Sequence, residues 1–404
     1  MNNRSSKIGS GRLLALLAAL TWGFSMWSRT AFNYYADGLG ISASQLGTFN
    51  TATSIGSMLG AVLLCRFADK KNLRIETLGC GLLLSTAMQV IICISPSLGG
   101  ILAARFFMGF GLGCAYSLTQ AIVESASAPE QRSANAGIVE NGEAVISTMI
   151  GPMAIVFLIS KFSWRGANAF LIFPVLIIAV IWIFLIRKKL GLGIRSDITK
   201  DSEEKVSFSV LLKIHNMKLC VILGILTLAN VWTMYIYCPM YWTGTGYSNT
   251  AMSEIMTSMG IVAIITCFTL PAASNHFGRK KIAGLFAVLN AFTYLLLFLI
   301  PGNRISLILF VAFGGSACTL SMFFMALITT ESVKPQYTAS AISMVNASAE
   351  LCGGAIGPLI AGNIADSFGI KVTMLFAALC MGTVSVLVVF LEETAPGLRK
   401  ESVK

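Results

Sequence analysis

Five ionisable residues stand inside otherwise apolar stretches: Arg29, Arg105, Glu140, Glu143 and Glu350. An ionised side chain at the centre of a bilayer costs roughly 2.5–3.5 kcal/mol on insertion scales, so such groups face a protein interior or a wet cavity and mark a pathway. The two kinds do different chemistry. A guanidinium presents a planar fork of donors that fits a carboxylate or phosphate, so Arg29 and Arg105 are candidate ligands for an anion. A carboxylate taken out of water can carry a proton at neutral pH. Glu140, Glu143 and Glu350 are therefore candidate proton-coupling sites. Glu140 and Glu143 are three residues apart and share one helix face.

These roles require elements that cross a membrane, and the composition supplies them. Of 404 residues, 55% are apolar and 12% charged, with a mean hydropathy of +0.77. A soluble domain carries about 25% charged residues, so an ordinary cytosolic enzyme is excluded, as is a disordered chain. The net charge of +11 is spread over too few cations to build a nucleic-acid face, so no nucleic-acid partner is expected. Apolar runs of about 20 residues place spans near 12–35, 43–66, 74–94, 99–126, 133–158, 165–187, 217–241, 250–272, 280–300, 304–330, 339–364 and 369–391. Each is expected to be a helix, because backbone exposed to lipid must satisfy its own hydrogen bonds. The fold class is thus an all-α membrane protein of twelve transmembrane helices. Most of the 29 Lys and Arg fall in alternate loops, such as Arg66, Lys70, Lys71 and Arg74, and Arg279, Lys280 and Lys281. That bias puts both termini in the cytoplasm. The ten cysteines lie in or beside apolar runs without a C-x-x-C pair, which reads as packing. With two histidines in basic loops, neither a metal nor a cofactor is expected.

Displaced by 206 residues, the sequence matches itself. Gly151-Pro152 falls on Gly357-Pro358, Gly38 and Gly40 on Gly244 and Gly246, and Phe162 on Phe368. Two six-span halves related by duplication follow, in parallel orientation because six is even. The expected organisation is a first bundle over 1–190, a cytoplasmic linker over 191–216 and a second bundle over 217–404.

The 2–3 loop, Arg66-Phe67-Ala68-Asp69-Lys70-Lys71-Asn72-Leu73-Arg74, resembles the G-x-L-A-D-R-x-G-R-R motif of the major facilitator superfamily, with Cys65 for the leading Gly and Asn72 for the internal one. Phe277-Gly278-Arg279-Lys280 is the second copy, with Asn275 for Asp. Arg105-Phe106-Phe107-Met108-Gly109-Phe110-Gly111-Leu112-Gly113 is similar to the family's R-x-x-x-G-x-G-x-G motif, and Pro129-Glu130-Gln131-Arg132 to its start of span five. The resemblance covers nearly the whole chain. It implies the major facilitator fold, with substrate bound between two halves that give access to each side in turn. It also implies that Asp69 faces the N-terminus of span eleven, near Thr338 to Ser340, where a carboxylate meets the positive end of a helix dipole. Asp69, Arg74, Glu124 and Arg132 then form a cytoplasmic gate; the alternative for Asp69 is balance of nearby cations. Gly109, Gly111 and Gly113 serve close helix packing.

Trp27-Ser28-Arg29-Thr30-Ala31-Phe32-Asn33-Tyr34-Tyr35 resembles the first span of the organic anion:proton symporter branch, which pairs an Asp-Arg there with a second Arg in span four. Ser28 replaces the Asp, and Leu112 stands where that branch has a span-four Glu. Arg29 lies about 16 residues into its span, roughly 24 Å at about 1.5 Å per residue. Arg105, entering from the other side, reaches a comparable height. The alternative for Arg105 is anchoring on backbone carbonyls; for Arg29 it is snorkelling. Trp22, Asn33, Tyr34, Gln120, Asn141, Trp232, Tyr235 and Asn346 are candidates to complete a substrate site, and each also fits plain packing.

No G-x-x-x-x-G-K-[ST] loop occurs, and no nucleophile or catalytic domain is visible, so the chain is not expected to be an enzyme. The function expected is a monomeric secondary transporter of the bacterial inner membrane. It would move a small organic anion, such as a sugar acid or carboxylate, with protons. The alternative is a proton-coupled drug or metabolite exporter, although Met153-Ala154-Ile155-Val156 follows Gly151-Pro152 where the antiporter signature has glycines. A non-transporting sensor would need a signalling domain that these short loops do not hold.

Overall fold

A computed structural model of the chain describes residues 2–127, 131–186, 208–334 and 337–395. Among the described residues there are helices and no strands. Span one is Asn2–Thr30, span two Ala43–Lys71, span three Arg74–Ile94, and span four Leu98–Leu112 with Ala115–Ala126. Ten helices among the described residues are long and apolar enough to cross a membrane. One of them, Ala134–Ile186, is 53 residues long and turns at Ser163 (φ 61°, ψ 172°), so it supplies spans five and six. With Asn2–Thr30 added, the twelve expected spans are present. Spans seven to nine are His215–Gly244, Asn249–Phe277 and Arg279–Leu299. Span ten begins at Arg304–Phe313, span eleven at Thr338–Ser348, and span twelve is Val372–Leu387. Most of the expected linker lies outside the described residues. Its last part holds a short helix, Phe208–Leu211, and the first turn of span seven.

The chain forms two compact units, Met1–Gly40 with Ala52–Thr199, and Ile41–Thr51 with Lys200–Lys404. The start of span two thus belongs to the second unit. There Ser42 Oγ donates to Asp366 Oδ2 at 2.7 Å, and Thr51 Oγ1 donates to the Ala355 carbonyl at 2.7 Å. Asp366 also accepts from the Ser44 amide at 3.3 Å, which places a carboxylate on the open amides that begin this helix.

Side chains are sorted as for a chain dissolved in lipid. Phe157, Phe173, Phe268 and Ile308 are exposed, while Arg29, Arg105, Asn168 and Asn290 are buried. The buried amides join spans. Asn168 donates to the Gln89 carbonyl at 3.1 Å, and Asn290 to Ser316 Oγ at 2.8 Å. Glycines bring backbones together. A methyl at Gly109 would meet the Thr53 carbonyl, one at Gly113 the Ser57 carbonyl, and one at Gly142 the Ala19 carbonyl.

Both units repeat one distortion. Span five runs as α-helix over Arg132–Glu143, widens to π-helix over Ala144–Ile150, then continues at Gly151-Pro152. Span eleven does the same over Thr338–Ser348, Ala349–Ile356 and Gly357-Pro358. A proline inside a helix lacks an N–H and clashes with the carbonyl four residues back. A wider turn just before it relieves that clash, and such π segments recur at functional sites. Glu143 ends the α-helical part of span five, and Glu350 lies within the π segment of span eleven.

At one end of the second unit, the residues after span twelve fold onto the start of span nine. Glu393 accepts from the Arg279 amide at 2.8 Å and the Lys280 amide at 3.3 Å. The Arg279 guanidinium, nearly buried, holds Glu331 through Nη2 at 2.9 Å and Nε at 3.3 Å, and Thr394 Oγ1 donates to the same carboxylate at 2.6 Å.

Two predictions follow from this packing. Gly109→Ala and Gly113→Ala each lower the thermal stability of purified protein in detergent, by about 1–3 kcal/mol for an overpacked contact. Gly382→Ala, where a methyl meets nothing within 4 Å, leaves it unchanged. Glu331→Ala removes the acid that faces a buried cation and costs about 3 kcal/mol. Asp69→Ala, which breaks a pair with an exposed acid, costs under about 1 kcal/mol in the same melt.

Candidate functional site

The two intramembrane arginines meet in the first unit, through a main-chain group. Span one ends at Thr30 and continues as a 3-10 turn over Ala31–Tyr34. The last carbonyls of a helix lack regular partners and carry the negative end of its dipole. Arg105, with no exposed surface, aims Nη1 and Nη2 at one of them, the Arg29 carbonyl, at 3.3 Å each. Its guanidinium carbon lies 4.4 Å from the centroid of the Phe32 ring, a cation–π contact. The anchoring alternative is therefore the geometry seen for this side chain. Arg29, 6% exposed, donates from Nη2 to Ser54 Oγ of span two at 2.7 Å. Next to it, the Thr30 hydroxyl shares a 2.9 Å bond with Ser147 in the π segment of span five. Spans one, two, four and five are thus tied at the height of Arg29.

The other candidates of this unit fall in two groups. Asn33 is buried and Tyr34 half-buried in the 3-10 turn. Trp22 stacks on Tyr116 with centroids 5.0 Å apart, and Tyr116 Oη donates to Glu140 Oε2 at 2.6 Å. Gln120 donates to the Ala136 carbonyl at 3.4 Å. Asn141 turns back on its own helix, donating to the Gly137 carbonyl at 2.7 Å. Glu143 is half-buried, one turn from Glu140.

In the second unit, Trp232 and Tyr235 make an edge contact with centroids 6.0 Å apart, and Tyr235 Oη lies 3.3 Å from Cys318 Sγ. A methyl on Gly354 would meet both Glu350 Oε2, at 2.8 Å, and the Trp232 indole, at 3.2 Å. Glu350 and Trp232 therefore share one small space over that glycine. Asn346 is half-buried one turn before Glu350.

Of the gate residues, Asp69 is exposed and accepts from Arg74 Nε at 2.8 Å. Glu124 and Arg132 are exposed, and among the described residues no ion pair links them. Pro129 and Glu130 lie outside the described residues. Tyr116 has no signature in the sequence, because one tyrosine among apolar residues reads as packing. A polar side chain eleven residues past Arg105 on the same span was its only sign.

Known proteins agree with this architecture. The sequence profile of the Major Facilitator Superfamily matches residues 13–274 and 219–404, which together cover most of the chain. A gentisate transporter of Corynebacterium glutamicum is 22% identical over 266 residues, 65% of this chain and 60% of that protein. The chain thus matches about three fifths of that relative's length. Among solved structures, an inward-facing, occupied bacterial homolog of the human lysosomal transporter Spinster superposes with a TM-score of 0.78 at 14% identity, covering 93% of this chain and 96% of that one. The nucleoside transporter NupG gives 0.75 at 14% identity, over 94% and 96%. A D-xylose-proton symporter gives 0.73 at 14% identity, over 95% and 98%. The chain belongs to the Major Facilitator Superfamily and is an integral membrane transporter, not an enzyme.

Proposed function

We propose that this transporter moves a small organic anion, a carboxylate or sugar acid, by alternating access and with protons in symport. The observation that carries this reading is the pair of buried guanidinium side chains, Arg29 and Arg105, tied at one height in the first unit. Arg105 anchors span one, so the reading rests chiefly on Arg29, a second buried cation at the same height. The likeness to a gentisate transporter supports the same substrate class.

The geometry favours a division of labour within the pair. Arg105 spends two donors on the Arg29 carbonyl and holds the end of span one in place. Arg29, steadied by Ser54, is the ligand that meets the anion. Asn33, Tyr34, Trp22, Gln120 and Asn141, with Trp232, Tyr235 and Asn346 of the second unit, complete recognition. Glu140, Glu143 and Glu350 carry protons, and Asp69, Arg74, Glu124 and Arg132 control the cytoplasmic side. The protein acts as a monomer of two bundles, 1–190 and 217–404, in the bacterial inner membrane with both termini in the cytoplasm.

Uptake of labelled gentisate, gluconate and succinate into proteoliposomes under an imposed pH gradient tests this. At least one of these acids accumulates in wild type. Arg29→Ala removes a charged hydrogen bond to the anion, worth about 1.5–3 kcal/mol, and cuts uptake roughly 10–100-fold. Arg105→Lys keeps the charge but cannot hold one carbonyl with two donors, and also loses at least about tenfold. If Arg29→Ala and Arg105→Ala both transported at the wild-type rate, the anion reading would be wrong.

A further inference from the structure

Span four carries a hydroxyl aimed at a candidate proton site. Tyr116 Oη donates to Glu140 Oε2 at 2.6 Å, in the range of a charge-assisted O–H···O bond. The Tyr116 ring stacks on Trp22 of span one, centroids 5.0 Å apart and planes 50° apart. One turn further along span four, Gln120 donates to the Ala136 carbonyl of span five and closes the same seam. Tyr116 and Glu140 both lie in membrane-spanning segments and retain exposed surface. The other carboxylate whose charge acts on Tyr116 is Glu143 of span five, and span one offers no ionisable group between Leu13 and Ser28.

We infer that Tyr116 is a positioning residue for proton coupling at Glu140, linking the charge of that carboxylate to spans one and four. This rests on the reading above that Glu140 carries a proton. With Glu140 ionised, the phenol bond fixes its rotamer and holds span five against the Trp22–Tyr116 stack. Tyr116 occupies Oε2, so an incoming proton adds to Oε1. The carboxyl becomes neutral, Tyr116 keeps its own proton, and the bond between them falls to about half its strength, as for neutral pairs. Loss of the proton to water on the other side restores it. One proton thus tightens and loosens a seam of three spans, and no other group is oxidised, reduced or cleaved.

Infrared difference spectroscopy of the full chain in lipid, titrated through pH, tests this without knowledge of the substrate. Glu140→Gln deletes one protonated-carboxyl band and so assigns it. Tyr116→Phe keeps the ring and the Trp22 stack and removes only the hydroxyl. The expected result is that the assigned band persists in Tyr116→Phe, moves to higher wavenumber with loss of its hydrogen bond, and titrates with a midpoint displaced by about one pH unit or more, a tenfold change in proton binding. A band unchanged in both frequency and midpoint would overturn the role of Tyr116 while leaving Glu140 as a proton site. A spectrum in which Glu140→Gln deletes no band would remove Glu140 from the proton pathway, and the inference with it. Glu254→Gln, at an exposed carboxylate of span eight, serves as the control: it leaves the assigned band in place, and a displacement there as large as in Tyr116→Phe would also overturn the inference, since the effect would not belong to the hydroxyl.

Discussion

The first unit depends on one contact: a buried guanidinium on the last turn of span one. Arg105 has no exposed surface, so its charge must be answered inside the protein. The answer is the Arg29 carbonyl, the Phe32 ring face and the negative end of a helix dipole. These contacts sit where Ser28 and Leu112 stand in place of the acids that the resemblance implies. The same contact lies where span one passes into the 3-10 turn.

The two units share a scaffold and differ in chemistry. The π segments before Gly151-Pro152 and Gly357-Pro358 are related by the duplication, and each lies against a tryptophan of the first span of its own unit. Trp27 stands beside Gly151, and Trp232 beside Gly354. The side chains placed on this scaffold diverged. Arg29 in the first unit corresponds to Tyr235 in the second, and Arg105 to Val311. Cations are concentrated in one unit, and an aromatic pair with Glu350 in the other. Duplication conserves what the backbone needs and leaves these side chains free to differ.

The spans, the repeat and the glycine contacts of span four were legible because they rest on period and composition. Lipid exposure demands apolar length, and close helix approach demands Gly109, Gly111 and Gly113. The depth of Arg29 and Arg105 followed from counting residues. What counting could not supply was direction. Arg105 was expected as half of a fork, and its donors turn to a main-chain carbonyl, which leaves no mark in a sequence. Tyr116 reads as packing until Glu140 is found opposite it. Arg279 reads as a topology signal, yet it is buried on Glu331. In each case the missing information was the rotation of one helix against its neighbour, which side-chain packing sets over many residues at once.

A fixed Arg105 also bears on how an anion would be released, if the proposed substrate class holds. Two mobile guanidinium groups closing on one carboxylate would hold it tightly on both sides of the membrane, and a transporter must let go. On the anion reading proposed above, Arg29, steadied by Ser54, meets the anion while Arg105 is already committed to the backbone, which offers attraction without a full chelate. Because Thr30, the residue after Arg29, is bonded to Ser147 in the π segment next to Glu143, the end of span one has a direct structural link to the carboxylates of span five.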